Sequence, residues 1–220
     1  MKIAQIAGFL GSGKTTLLIE LARELGRRGV RAAIVVNDVG EVSVDARTLD
    51  DFGLKARQLP DGCICCQIAG ELADTLTLLY RSFQPELVLV EPTGVAQPWK
   101  VKRASEYSEG GAPTAISHAP VITLLDAARI DLLLRAVRRP VETQVREADI
   151  IAINKVDVAA TDALARAREF ARAVNPQARI IETSALQAQG VEALVEAILN
   201  EQSSRYDDRR AQALAERSRR

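Results

Sequence analysis

Six short apolar runs punctuate the chain, at residues 3–7, 32–36, 87–90, 121–125, 150–153 and 180–181. Each is short enough for a strand, and apolar on consecutive positions rather than alternate ones. That pattern fits strands covered on both faces, as in a parallel sheet. Between the runs, apolar residues recur at helical spacing over 14–28, 67–82, 128–137, 141–148, 160–173 and 190–200. In the first of these, Leu17, Leu18, Leu21 and Leu25 fall on one stripe. Pro176 and Gly190 mark helix boundaries. An extra edge strand or a hairpin is expected near residues 52–60, ahead of the turn signal Pro60-Asp61-Gly62. Residues 105–119, with Gly110, Gly111 and Pro113, read as the clearest loop. The alternation of strand and helix predicts an α/β fold, a mostly parallel central sheet flanked by helices on both faces; together with the Gly-Lys-Thr loop at 8–16 it reads as the P-loop NTPase fold.

The first strand runs into Gly8-Phe9-Leu10-Gly11-Ser12-Gly13-Lys14-Thr15-Thr16, the phosphate-cradling pattern GxxxxGK[ST] between a strand and a helix. Gly8, Gly11 and Gly13 let backbone N–H groups turn toward a polyphosphate without obstructing side chains. The helix that follows adds unsatisfied N–H groups and a positive dipole end. Lys14 supplies a mobile charge for the outer phosphates, and the Thr15 hydroxyl is the expected Mg²⁺ ligand. Ser12 belongs to the cradle. Thr16 is assigned to helix packing or to a phosphate contact.

The run 150–153 ends in Asn154-Lys155-Val156-Asp157. A carboxylate at Asp157 can accept from both the ring N–H and the exocyclic amine of guanine. Adenine offers an acceptor where guanine has its ring N–H, which would leave that carboxylate unmatched. Asn154 can tie this loop to the phosphate loop, and the Lys155 stem can cover the base. Farther on, Ser184 and Ala185 are candidates to face the guanine. GTP is therefore the expected ligand and ATP the competing one.

The apolar run 87–90 delivers Glu91-Pro92-Thr93-Gly94. Glu91 either faces Mg²⁺ or orients the attacking water, and the Gly94 N–H is a candidate contact for the terminal phosphate. Residues 37–45 follow the second strand with several carboxylates and a glycine, as a nucleotide-sensing switch would. Glu41 and Asp45 are its candidate metal or water contacts; a solvated acidic loop is the alternative for both.

All three cysteines fall within Gly62-Cys63-Ile64-Cys65-Cys66. Clustered thiolates suit Zn²⁺, copper(I) and similar ions. No fourth ligand stands nearby, since the one histidine, His118, is remote in sequence and reads mainly as a structural or surface residue. That favours an exchangeable or partner-facing metal site, with a redox pair or buried small side chains as alternatives.

The segments 8–16, 37–45, 62–66, 91–94 and 154–157 together resemble the CobW-like family of GTP-dependent metal chaperones, related to hydrogenase- and urease-maturation GTPases. The resemblance covers about residues 1–200, leaving 201–220 as a charged, helical extension or tail. It implies hydrolysis of GTP with Mg²⁺, coupled to capture or transfer of a transition metal. It makes Cys63, Cys65 and Cys66 metal-site candidates and Glu41 a fourth ligand or a link to the switch. The implied partner is a client metalloprotein, or a corrinoid or other cofactor-dependent enzyme, and a homodimer is a candidate assembly. Many members carry a second carboxy-terminal domain and histidine-rich stretches. This chain has one histidine, and it has Pro92 where those members have Ser or Thr. The alternatives are a nucleotide-gated protein chaperone with structural or redox thiols, and a P-loop small-molecule kinase.

Global properties narrow the field further. The formal net charge is zero over 220 residues, and the last twenty hold six arginines against four acidic groups, so a nucleic-acid footprint is not expected. No stretch of eighteen apolar residues exists for stable membrane association. Lys2 is followed too soon by the glycine-rich loop for a secretory leader, and clustered thiols fit a reducing cytoplasm. Aromatics are only 4%, so aliphatic side chains must fill the core.

Overall fold

The computed structural model describes residues 1–36, 55–58, 67–92 and 116–204. Among these, strands β1 (Lys2–Gly8), β2 (Ala32–Val36), β3 (Lys55–Gln58), β4 (Leu87–Glu91), β5 (Ser117–His118), β6 (Ile122–Asp126), β7 (Ile150–Asn154) and β8 (Arg179–Thr183) form one sheet. Its order is β3-β2-β4-β1-β6-β7-β8, with β5 paired beside the start of β1. Every strand pairing is parallel. The helices are α1 (Lys14–Arg27), α2 (Gln67–Phe83), α3 (Ile130–Ala136), α4 (Arg138–Arg146), α5 (Thr161–Val174) and α6 (Val191–Asn200), with a 3₁₀ turn at Ala127–Arg129 before α3.

Strand side chains alternate between faces, and the core divides accordingly. Ala4 and Ile6 of β1, Ile34 of β2, Leu87 and Leu89 of β4, and Ile150 and Ala152 of β7 pack with Leu17, Leu18, Leu21 and Leu25 of α1 and with α6. The intervening residues point the other way. Ile3, Val35, Val88 and Val90 meet Leu72, Leu76 and Leu79 of α2. Leu125, Ile151 and Ile153 meet α3, α4 and α5. Consecutive apolar residues in each strand are thus explained by burial on both sides.

Residues 55–58 agree with one of the two expected alternatives, forming an edge strand parallel to β2. Several boundaries differ from the sequence reading. Ser117–His118, within the expected loop, pairs with Lys2 and Ile3 as β5. Helix α4 begins at Arg138 rather than 141, because Pro140 falls in its first turn, where a missing N–H costs no helical bond. Helix α6 ends at Asn200, and the next residues are not helical to 204. Ser203 and Ser204 instead donate to the Asp149 carboxylate, which also accepts from the Val121 N–H. The rest of the expected tail, residues 205–220, lies outside the described residues, as does the remaining part of the expected loop, 105–115.

Asn175, just past α5, ties the end of that helix to the end of α4. Its buried Nδ2 donates to the carbonyls of Val145 and Ala148 at 2.8 and 2.9 Å, closing the carboxy-terminal end of α4. Its Oδ1 accepts from the Ala178 N–H. Asn175→Ala leaves those carbonyls buried without that donor, so a urea titration should show a loss of about 1–3 kcal/mol.

On the surface, Arg168 of α5 donates to Glu182 of β8, and that hydrogen bond, more than the opposing desolvation, holds the Glu182 carboxyl below its ordinary 4.5. A depressed carboxylate contributes stability above its unfolded value, and the contribution is lost as pH falls through the folded value. Arg168→Ala should therefore be slightly less stable than the parent at pH 6. The gap should close in acid, as read by thermal melts across pH.

Candidate nucleotide site

Parallel strands put all their carboxyl ends on one edge, and the candidate residues collect there. In these α/β sheets the crevice beyond that edge, where strand order reverses, receives the ligand. Here β1 is central, with β4 on one side and β6 on the other. The phosphate-loop pattern begins at the last residue of β1.

The loop's glycines are required by space as well as by conformation. Gly13 sits at the start of α1 with φ +97°, and a Cβ there would lie 2.5 Å from Asn154 Nδ2. Gly8, at φ +147°, would clash with the Leu124 carbonyl at 2.9 Å. The N-cap of α1 is Gly13, which has no side chain to cap the first turn. An uncapped helix start of this kind leaves N–H groups that can receive an anion.

Lys14 and Thr15 open α1 opposite the end of β4. Thr15 Oγ1 donates to Glu91 Oε1 at 3.0 Å, and Lys14 Nζ is 3.8 Å from the same oxygen. Lys14 and Glu91 are almost fully buried, 4% and 1% exposed, so an ion pair is formed where either charge alone would be costly. A hydroxyl and a carboxylate within 3.0 Å are a hard-oxygen pair of the kind Mg²⁺ takes, so these residues fit that ion. Ser12 Oγ is buried and has no hydrogen-bond partner among the described residues. Thr16 is exposed, so the packing role expected for it does not hold.

The expected base-reading loop lies against the cradle. Asn154, 1% exposed, donates from Nδ2 to the Ser12 carbonyl at 2.8 Å. Its Oδ1 accepts from Thr183 Oγ1 at 3.1 Å and from the Ala185 N–H at 3.0 Å. One amide thereby joins the phosphate loop, β7 and the end of β8. Lys155, in a left-handed conformation with φ +67°, donates to the Gly11 carbonyl at 2.8 Å. Asp157 follows in the same turn, half-buried and with no side-chain hydrogen bond among the described residues. Ala185 is buried behind this loop. The Ser184 hydroxyl accepts from the Gln187 N–H, which shapes its own turn.

Two residues missed in the sequence complete the arrangement. Asp126 ends β6 and is fully buried, receiving Lys155 Nζ at 2.8 Å and Arg129 Nε at 2.7 Å on Oδ2. Arg129 Nη2 in turn donates to the Leu10 carbonyl at 3.0 Å. The signal for Asp126 was present: like Glu91, it is an acid ending an apolar run. Arg129 carried none, because its target is a backbone atom 119 residues away.

A family model described as the CobW/HypB/UreG nucleotide-binding domain matches residues 2–182. The chain belongs to this family. Among its relatives, the zinc chaperone YjiA of Escherichia coli is 33% identical over 162 residues, 71% of this chain and 50% of that protein. The zinc chaperone CobW of a Sinorhizobium species is 30% identical over 190 residues, 74% of this chain and 53% of that one. The chain thus spans about half the length of these curated relatives. Among solved structures, Zn(II)-bound YjiA GTPase from E. coli matches with a TM-score of 0.61 and 27% identity, over 82% of this chain and 56% of that one. The hydrogenase maturation factor HypB from Archaeoglobus fulgidus shares the fold, with a TM-score of 0.63 at 22% identity, over 89% of this chain and 87% of that one.

Glu41, Asp45, Cys63, Cys65, Cys66 and Gly94 lie outside the described residues, as does Trp99. No group of three or more metal-ligating side chains occurs among the described residues. His118 pairs with Ile3. Gly8 lies five positions beyond Ile3 on β1, so His118 is about 16 Å of strand away from the phosphate loop. No helix among the described residues is long and apolar enough to cross a membrane.

Gly13→Ala should drive its methyl group into the Asn154 amide in a backbone region that alanine avoids. We expect nucleotide affinity to fall more than tenfold, with stability reduced by about 1–3 kcal/mol. Calorimetric titration and a urea melt of the same preparation would check both.

Proposed function

We propose that residues 1–200 act as a P-loop GTPase domain that binds Mg-GTP and hydrolyses it to GDP and phosphate. The cycle serves transfer of a transition metal, Zn²⁺ foremost, to a client metalloprotein or to a corrinoid or other cofactor-dependent enzyme. The observation that carries the nucleotide part is the clasp of Asn154 and Lys155 on the Ser12 and Gly11 carbonyls. That clasp supports a reading in which the Asp157 turn and the phosphate loop would face one ligand, as a guanine reader requires.

Lys14 and the loop N–H groups would hold the phosphates and stabilise charge on the transferring group. Thr15 and Glu91 would hold Mg²⁺. Bound there, the ion neutralises charge on the phosphate oxygens. Asp157 would select guanine by pairing two donors that adenine does not present together. The 37–45 and 91–94 segments, with Glu41, Asp45 and Gly94, would respond to the terminal phosphate.

Support for the metal part comes from the thiols Cys63, Cys65 and Cys66, whose softness suits Zn²⁺, and from relatives named as zinc chaperones. Such a cargo site between two nucleotide-sensing segments would change its metal affinity with nucleotide state. A reducing cytoplasm and a homodimer complete this reading.

The test is titration of reduced protein with GTP, GDP and ATP, alongside phosphate release and metal analysis. GTP should bind at least tenfold more tightly than ATP, and Asp157→Ala should erase the preference. Zinc should bind stoichiometrically, differ in affinity between GTP and GDP states, and be lost in the Cys65→Ala/Cys66→Ala variant. Equal affinities for the two triphosphates would overturn the guanine assignment, and metal affinity indifferent to nucleotide would overturn the coupling.

A further inference from the structure

We propose that Arg129 and Asp126 form a staple that sets the tip of the phosphate loop in its nucleotide-receiving shape, which makes both of them positioning residues for nucleotide capture. The proposal rests on the reading that this loop receives the nucleotide's phosphates.

The loop's successive carbonyls are each held by a different side chain. Arg129 Nη2 holds Leu10 O at 3.0 Å, Lys155 Nζ holds Gly11 O at 2.8 Å and Asn154 Nδ2 holds Ser12 O at 2.8 Å. In a planar trans peptide the carbonyl of one residue and the N–H of the next point in opposite directions. Fixing the Leu10 carbonyl on the guanidinium therefore directs the Gly11 N–H away from it. Fixing the Ser12 carbonyl on Asn154 does the same for the Gly13 N–H. The intervening Ser12 N–H closes the turn onto the Phe9 carbonyl at 3.1 Å. Pinned carbonyls on one side and free-facing amides on the other are what an anion-binding backbone concavity needs.

Two of the three pins depend on one buried carboxylate. Asp126 has no exposed surface and receives Arg129 Nε at 2.7 Å and Lys155 Nζ at 2.8 Å. Its other oxygen accepts the Arg129 N–H at 3.2 Å, capping the 3₁₀ turn that presents the arginine. Arg129 thus spans from Asp126 through Nε to Leu10 through Nη2. The guanidinium also covers Gly11, where a Cβ would come within 2.8 Å of Nη2. A planar fork suits this two-ended contact; a lysine ammonium would serve one end only. Leu10 itself is 63% exposed, so packing does little to hold the tip and the staple has a job to do.

The test compares the full chain with Arg129→Ala, Arg129→Lys and Asp126→Asn, using Mg-GTP and Mg-GDP as titrants at two salt concentrations. Arg129→Ala should weaken GTP and GDP by the same factor, about tenfold, because a charge-assisted hydrogen bond that orders the empty loop is lost whichever nucleotide enters. KM for GTP should rise more than kcat falls. Arg129→Lys should remain weakened, since it keeps the charge but not the fork. Asp126→Asn should be weakened at least as much. Unchanged affinity in Arg129→Ala would overturn the staple. So would full recovery in Arg129→Lys with a salt-sensitive loss in Arg129→Ala, which would make Arg129 a mere charge near the phosphates. Melting of the ligand-free Arg129→Ala chain within a few degrees of the parent separates loop ordering from unfolding. A parent chain that binds neither nucleotide would sink the GTPase reading and the staple together. A parent that binds both, with variants that bind equally, would sink the staple alone.

Discussion

The buried amide of Asn154 is the contact on which the site's architecture turns. It donates to a carbonyl 142 residues earlier in the chain and accepts from residues about thirty later. An amide can do both because it carries a donor and an acceptor on one planar head. A carboxylate of the same shape would place two acceptors there, and one would face the Ser12 carbonyl. In a buried position that mismatch costs the full desolvation of the group. The phosphate loop, the Asp157 turn and the end of β8 therefore keep a fixed mutual geometry only while this residue is Asn.

Sheet geometry makes such a contact available. Neighbouring strands β4, β1, β6 and β7 end in Glu91, Gly8, Asp126 and Asn154, all on one edge. Their interiors are mostly apolar because helices cover both faces, with Gln5 and Thr123 as buried polar exceptions, so the charged groups gather at the strand ends. The edge is a row of opposite and complementary groups rather than a line of like charge. Glu91 meets Thr15 and Lys14, while Asp126 meets Lys155 and Arg129. Each buried carboxylate has a cation, which is the condition for keeping it charged away from water.

These pairings favour a site that is shaped before its ligand arrives. Backbone N–H groups gain most on binding an anion when they need not reorient. Here the orientation of the loop's peptides is imposed from outside by side chains on β7 and on the turn after β6. Family membership and site geometry thus meet at one point, the glycine loop after β1 with the Asn154–Asp157 turn clasped against it.

Much of this was legible in the sequence by itself. Doubly covered strands show as short, mostly apolar runs, and helices as leucine stripes, because burial has a period that no tertiary detail alters. The phosphate loop was legible because its glycine and lysine spacing is a pattern in itself, although the neighbours that crowd those glycines, Leu124, Arg129 and Asn154, come from far along the chain; the Asn154–Asp157 segment was legible because it follows a recognisable strand. Tertiary structure alone decided which strands lie side by side and where Arg129 reaches. It also set residues 55–58 parallel to β2 and gave the Ser117–His118 pair to β1. It turned the Ser184 hydroxyl into its own turn and left Thr16 in solvent. Those outcomes depend on partners far away in the chain, often backbone atoms, and a backbone acceptor leaves no residue type by which a sequence could announce it.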